Sequence, residues 1–172
     1  MDCKSEEQDA LRDVTLQSFT GSALFERTFA EGMALVEETA RYLDGRGRLE
    51  SRELPRKAAM LYASESMRVT TRLMQAASWL LVQRAVGEGD MRAEDAAGER
   101  YRLGSKEVCL GSAPEGGESL PDTLQQLLVR SDMLYRRIAR MDGVLFANQQ
   151  KPSPGVRAHF GRLQEAFGPV SA

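Results

Sequence analysis

The residues with the most evident chemistry lie in one row on a long segment that contains no glycine or proline. They recur three or four positions apart, as Glu65, Arg68, Arg72, Gln75 and Trp79. Side chains at this spacing are neighbours on a helix surface, so they emerge together. Arginine binds a carboxylate through two hydrogen bonds, and arginine and tryptophan are enriched in binding hot spots. The row therefore predicts a surface for a partner protein, with a merely solvated face as the alternative for its two arginines.

The other reactive residue types are too few for most catalytic or metal sites. The chain has two cysteines, Cys3 and Cys109, and one histidine, His159. Two distant cysteines do not make a zinc site, and a single histidine near the C-terminus excludes a di-metal bundle built on Glu-x-x-His. The sequence also has no phosphate loop, no dinucleotide-binding glycine pattern and no serine nucleophile elbow. We predict that the protein is not an enzyme and that it has no cofactor and no metal ion.

The charge balance disfavours a general nucleic-acid-binding protein. The 172 residues include 23 Lys and Arg against 25 Asp and Glu, a formal net charge of -2, whereas a nucleic-acid coat needs a positive excess. A dimeric DNA-binding regulator and a structural scaffold remain as alternatives, and retention on heparin at about 0.1 M salt would identify the first. No apolar stretch approaches the roughly 20 residues of a membrane-spanning helix. Because the acidic N-terminus also lacks the apolar core of a secretion signal, we expect a cytoplasmic protein.

Helix one is predicted from a Ser22 cap to Asp44, because glycine at position 45 favours a helix stop. Its apolar stripe is Phe25, Phe29, Val36, Ala40 and Leu43. The helix has an acidic balance and the next helix a basic one, which favours packing the two side by side.

The central helix is predicted from Pro55 to Gly87, since proline is tolerated in a first turn. It has two apolar stripes. The first is Tyr62, Val69, Leu73, Ala76 and Leu80, and the second is Ala63, Met67, Met74, Ala77, Leu81 and Ala85. Two stripes predict neighbours on two sides, with the methionines filling the core. We expect Trp79 in the core or at a dimer interface rather than as an anchor for a partner.

Helix three is predicted to begin at Pro121 and to end near Phe146, on a seam close to a heptad repeat. The fold class is therefore all-α, a three-helix bundle over residues 21–146 with a long central helix. Residues 1–20 and 147–172 are predicted to be flexible because they are polar or rich in proline and glycine. Apolar residues nevertheless recur in the C-terminal tail, which predicts a role in engaging partners: Val156, Phe160, Leu163 and Phe167.

The central segment resembles that of a known family. Residues Tyr62 to Val86, YASESMRVTTRLMQAASWLLVQRAV, followed by GEGDM, are similar to the hallmark segment of the RcdA family, the regulators of CtrA degradation of alphaproteobacteria. The similarity extends to SALFERTFAEGMALVEETARYLDGRGR before it, and to YRLGSKEVCLG and SDMLYRRIARMD after it. It covers the chain from Ser22 to Leu145.

This resemblance implies a three-helix bundle that forms a homodimer and catalyses no reaction. RcdA-type proteins act as adaptors that help deliver substrates, the cell-cycle regulator CtrA among them, to the ClpXP protease already primed by the response regulator CpdR. A cyclic-di-GMP-binding protein, PopA, joins the assembly in that family. The implied partners are thus a second copy of the chain, ClpXP with a CpdR-like regulator, CtrA-like substrates and a PopA-like effector, with recruitment to a cell pole and with no nucleic acid.

Overall fold

A computed structural model describes residues 18–112 and 115–146, and this part of the chain is helical with no strand. The fold is all-α, as the sequence predicts. After the helical residues 18–20, six helices follow in order: α1 Ala23–Asp44, α2 Arg46–Glu53, α3 Arg56–Glu88, α4 Ala93–Ala96, α5 Lys106–Leu110 and α6 Asp122–Phe146. Two 3₁₀ turns, Glu99–Tyr101 and Gly117–Ser119, lie in the connector, the stretch between α3 and α6.

The three long helices α1, α3 and α6 form the bundle, and α3 is the central element. A Cβ added to Gly32 of α1 would lie 2.8 Å from the Leu80 side chain, whereas one added to Gly47 would lie 2.5 Å from Tyr62. The earlier glycine therefore lies near the later part of α3 and the later glycine near its earlier part, so α1 is antiparallel to α3. Helix α6 runs parallel to α3, because side chains further along α3 bond to residues further along α6. One core of apolar residues from all three helices results.

The ends of the helices follow local rules. The Ser22 hydroxyl accepts a hydrogen bond from the Phe25 backbone N–H at 3.2 Å, as the sequence predicts. Helix α3 begins directly after Pro55, as predicted, but it continues through Gly87, where its end was predicted, to Glu88. The next residue, Gly89, has a φ of 83°, the left-handed conformation that glycine adopts readily. Helix α2 was not predicted, because Gly45 and Gly47 suggested a loop there.

The N-terminal boundary differs from the prediction that residues 1–20 are flexible. Residues 18–20 are helical, and the Phe19 ring lies 5.5 Å from the Phe25 ring and 6.4 Å from Trp79. Phe19 thus adds apolar surface to the core, and order begins before Ser22. The predictions for residues 1–17 and for the C-terminal tail lie outside the described residues.

The two apolar stripes of the central helix differ in burial. The first stripe is buried, from Tyr62 at 8% exposed to Leu80 at 0%. The second stripe is not core: Met67 is 72% exposed, Met74 is 65% and Leu81 is 52%. The prediction that the methionines fill the core is therefore wrong, because α6 packs on the polar side of α3 and leaves the second stripe uncovered.

Ion pairs between the long helices also differ from the sequence prediction. Two acidic side chains of α1 form ion pairs with α6. Glu38 pairs with Arg130 at 2.7 Å, and Glu31 pairs with Arg137 at 2.5 Å. Burial of the apolar stripes places α1 beside α3, and charge then joins α1 to its other neighbour.

Candidate partner-binding surface

Arg72 of α3 is buried between α6 and the connector, at 5% exposure. Its Nε donates to the Cys109 carbonyl at 2.7 Å and its Nη1 to the Leu128 carbonyl at 3.2 Å. Its Nη2 lies 3.0 Å from an Asp132 carboxylate oxygen. Burial lowers the pKa of Arg72, and Asp132 opposes that effect. One side chain thus binds α5, α6 and a carboxylate together.

Arg68 and Glu65 lie one turn earlier on the same side of α3. Arg68 donates to the carbonyls of Gly111 at 3.3 Å and Ser112 at 2.9 Å. Its Nε is 3.4 Å from the Glu65 carboxylate, whose side chain is 4% exposed. The expected pair three residues apart is present, but it lies under the end of the connector and not on a solvated face.

Gln75 and Trp79 continue the row towards the C-terminal end of α3. The Gln75 carbonyl oxygen accepts from the Gly104 backbone N–H at 3.0 Å. The Trp79 indole N–H donates to Asp142 at 3.0 Å, and the residue is 1% exposed. The expectation of Trp79 in the core is confirmed.

The predicted row is therefore a clamp that holds the connector and α6 onto α3. We call Glu65, Arg68, Arg72, Gln75 and Trp79 the clamp row. The structure brings all five to one face, as the spacing predicts, but it contradicts the expectation of a free polar surface. Polar side chains are usually exposed, but the polar side chains of this row are covered by the connector. Arg68, Arg72 and Gln75 bond to carbonyl and amide groups of the connector backbone, which has little regular structure.

Beside the clamp row lies a groove of about 480 Å³ between α3, α6 and the end of α5. Its charged lining is Glu65, Arg68, Arg72, Asp132 and Arg136. Three guanidinium groups against two carboxylates leave the groove positive. Its outer edge on α6 has Val129 and Met133, 60% and 58% exposed, next to Arg136. We define the groove mouth as Arg68, Val129, Met133 and Arg136, four lining residues whose side chains are at least partly exposed.

Three residues of the clamp were not identified from the sequence. Asp142, 1% exposed, accepts from Trp79 and also from Arg102, whose Nε and Nη2 lie 2.8 and 2.9 Å from the two carboxylate oxygens. The Tyr135 hydroxyl donates to the Gly104 carbonyl at 2.5 Å. The sequence pattern indicates that Asp142 is buried, because this charged residue occupies an apolar-stripe position of α6, four residues after Ile138. No sequence pattern predicts the role of Arg102, because its partner is 40 residues away.

Two titratable groups in this region have raised pKa values. Burial raises the pKa of the Cys109 thiol, which is 0% exposed. Burial also raises the pKa of Tyr135, and the neighbouring Cys109 adds to the effect. Both groups therefore stay protonated in the folded protein at neutral pH.

The chain matches a family profile over residues 16–167, and the description of that family is "Protein of unknown function (DUF1465)". Among solved structures, it matches the crystal structure of RcdA from Caulobacter crescentus CB15 at 52% identity, with a TM-score of 0.63. That match covers 76% of this chain and 98% of the RcdA chain. The chain belongs to the RcdA family. No protein in the curated set matches it significantly.

The family assignment confirms the resemblance in the sequence, and the described residues add two observations to it. No helix of this RcdA-family chain within residues 18–112 and 115–146 is both long enough and apolar enough to cross a bilayer. Within the same residues, no three His, Cys, Asp or Glu side chains form a group that would hold a metal ion.

Proposed function

We propose that this protein is a non-catalytic adaptor that delivers substrates to the ClpXP protease. The observation that supports this function is 52% identity with RcdA over 98% of the RcdA chain. The proposed substrates are cell-cycle regulators of the CtrA type, and the protease is primed by a CpdR-like response regulator. A PopA-like cyclic-di-GMP-binding effector and a second copy of the chain complete the proposed assembly.

The contacts of the clamp row are consistent with an adaptor. An adaptor needs a rigid body that presents surfaces to several proteins, and its charged interior residues serve that rigidity. Arg72 alone joins α3 to two other segments, through the Cys109 carbonyl 37 residues away and the Leu128 carbonyl 56 residues away. Such long-range polar bonds fix the connector on the bundle, so that the surfaces on either side of it keep their relative positions.

Partner contact is proposed at the groove mouth. Of the clamp row, Glu65, Arg72 and Trp79 are buried, so Arg68, with 19% of its side chain exposed, is the residue that supports the original prediction best. Arg136, 51% exposed, lies beside exposed Val129 and Met133. An apolar pair beside a guanidinium suits a peptide segment that has apolar and acidic side chains.

The test is a reconstituted degradation assay with ClpXP, a CpdR-like regulator and a CtrA-like substrate. Addition of this protein is expected to accelerate loss of the substrate, and the variant Met133→Ala/Arg136→Ala is expected to accelerate it less. A substrate that ClpXP recognises directly is the control, and its degradation should not change. If the CtrA-like substrate disappears at the same rate with and without this protein, the adaptor function is refuted.

A further inference from the structure

The outward face of α3 has no charged residue over most of its length. Between Ala58 and Gln83 the charged residues of α3 are Glu65, Arg68 and Arg72, and all three belong to the clamp row on the opposite side. In a chain with 28% charged residues, a long surface without charge is unusual. Depletion of charge together with enrichment of methionine is typical of the centre of protein interfaces.

Large apolar side chains recur at heptad spacing on this face. Met60, Met67, Met74 and Leu81 are 69%, 72%, 65% and 52% exposed. Between them lie the small residues Ala63, Thr70 and Ala77. We call these seven residues the α3 seam. It spans 22 residues from Met60 to Leu81, and the 21 steps between these two correspond to about 32 Å of helix. Heptad spacing of apolar residues is the pattern by which one helix packs along another.

The hydroxyl groups around the seam are already bonded within α3. Thr70 and Thr71 donate to the carbonyls of Ser66 and Met67 at 2.8 and 2.9 Å, and Ser66 donates to Tyr62 at 2.6 Å. The hydrogen-bond donors of these hydroxyl groups are therefore satisfied within the helix. A partner can therefore exclude water from the seam without leaving these hydroxyl groups without a hydrogen bond.

A groove of about 410 Å³ extends the seam onto α1. Val36, Ala40 and Leu43 of α1 line it opposite Met74 and Leu81 of α3. Protruding side chains of an incoming helix would find an apolar recess there. The surface thus has both features of helix packing, a row of large side chains and a depression beside it.

The seam is self-complementary when two copies are antiparallel. Read in either direction from a centre between Thr70 and Thr71, it alternates large and small residues. In that register Met67 faces Met74 of a second copy and Met60 faces Leu81, so large residues of one copy lie near the apolar recess of the other. A surface that matches itself under a two-fold axis is what a symmetric dimer requires.

The charges at the two ends of α3 favour the same orientation. The first turn has Arg56 and Lys57, whereas the last has Arg84 and Glu88, which pair at 2.8 Å, near Glu26 of α1. When two α3 helices are antiparallel, Arg56 and Lys57 of one copy lie near Glu88 and Glu26 of the other. A parallel pair would instead place the two positive ends together.

We propose that two copies of this chain associate through the α3 seam with their α3 helices antiparallel. This inference rests on the homodimer of the proposed function and assigns its interface. Met67→Lys/Met74→Lys should raise the dimer dissociation constant about 100-fold or more in sedimentation equilibrium, because it adds two charges to the centre of the contact. Leu49→Lys/Val144→Lys is the matched control, since Leu49 is 61% and Val144 79% exposed away from the seam.

Cysteine cross-linking in a Cys3→Ser background tests the orientation. Thr70→Cys should form a disulfide-linked dimer alone, because the position lies at the two-fold axis. Met60→Cys should form none alone but should cross-link to Leu81→Cys when the two variants are mixed. Cross-linking of Met60→Cys to itself would overturn the antiparallel arrangement.

The outcomes separate this inference from the proposals that it rests on. A dimer that is unaffected by Met67→Lys/Met74→Lys overturns the seam as interface and leaves the homodimer intact. Equal weakening by the control variant also overturns it. A wild-type chain that stays monomeric at all concentrations refutes the homodimer and the seam together, whereas the degradation assay still decides the adaptor function. Because the substituted side chains are exposed, circular dichroism should show native helix content for every variant.

Discussion

Replacing Arg72 by alanine should destabilise the protein because Arg72 is buried. The same substitution at an exposed helix position would have little effect on stability. The substitution removes the bonds to the Cys109 and Leu128 carbonyls, at 2.7 and 3.2 Å, and the 3.0 Å ion pair with Asp132. Removing one partner of a buried ion pair costs about 3–5 kcal/mol. Asp132 is 27% exposed and retains Arg136, so its charge is not stranded, and we expect a loss of about 3 kcal/mol.

Arg136→Ala is the matched control because it removes a guanidinium from the same carboxylate. Arg136 bonds to Asp132 at 2.7 Å, but 51% of its side chain is exposed. An exposed pair contributes about 0–1 kcal/mol, so the difference between the two variants measures the burial of Arg72.

The assay is urea unfolding followed by far-ultraviolet circular dichroism, with hydrogen exchange of the Lys106–Leu110 amides measured in parallel. Arg72→Ala should lower the free energy of unfolding, or should detach the connector locally and accelerate that exchange. Binding of a partner is measured on the folded protein, so that a loss of structure is not mistaken for a loss of contact. The reasoning is refuted if the free energy of unfolding stays within about 1 kcal/mol of the wild type and the exchange is unchanged.

Three further predictions concern the bundle. Asp142→Ala should lower the free energy of unfolding in urea by about 3–5 kcal/mol, because it leaves a partly buried guanidinium and an indole N–H without their acceptor; a loss below about 1 kcal/mol would contradict this. Burial raises the pKa of Tyr42 and Tyr135 above their usual 10.0, so above about pH 10 the unfolded chain binds fewer protons than the folded one and stability should fall as pH rises. The urea midpoint between about pH 8 and about pH 11 should show this fall, and replacing both tyrosines by phenylalanine should reduce it, because the raised pKa of the Cys109 thiol contributes the remainder. Gly32→Val should lower Tm, since even a Cβ there lies 2.8 Å from a side chain of α3, at a cost of about 1–3 kcal/mol, whereas Gly143→Ala, with nothing within 4 Å, should not lower it.

The long helices of this protein were predictable from its amino-acid sequence. Local rules predict where the long helices begin, because these rules act between residues that are close in the chain. The Ser22 cap and the start after Pro55 follow from backbone geometry and from bonds within a turn or two, whereas α3 continues to Glu88, one residue beyond the predicted Gly87. The first stripe of α3 was predictable as core for the same reason, because its spacing is a property of one helix. The resemblance to the RcdA family is also contained in the order of residues.

The side of α3 that is covered was decided only by the tertiary structure. Apolar spacing predicts that Met67 and Met74 share a face, but it does not say which neighbour packs where. The clamp row had the composition of a binding surface, yet the connector needed acceptors and donors for its backbone, and Arg72 and Gln75 supply them. Those bonds join residues 29 and more positions apart, and helical periodicity carries no information at that distance. Burial of the polar row is the reason why the methionine seam is left at the surface.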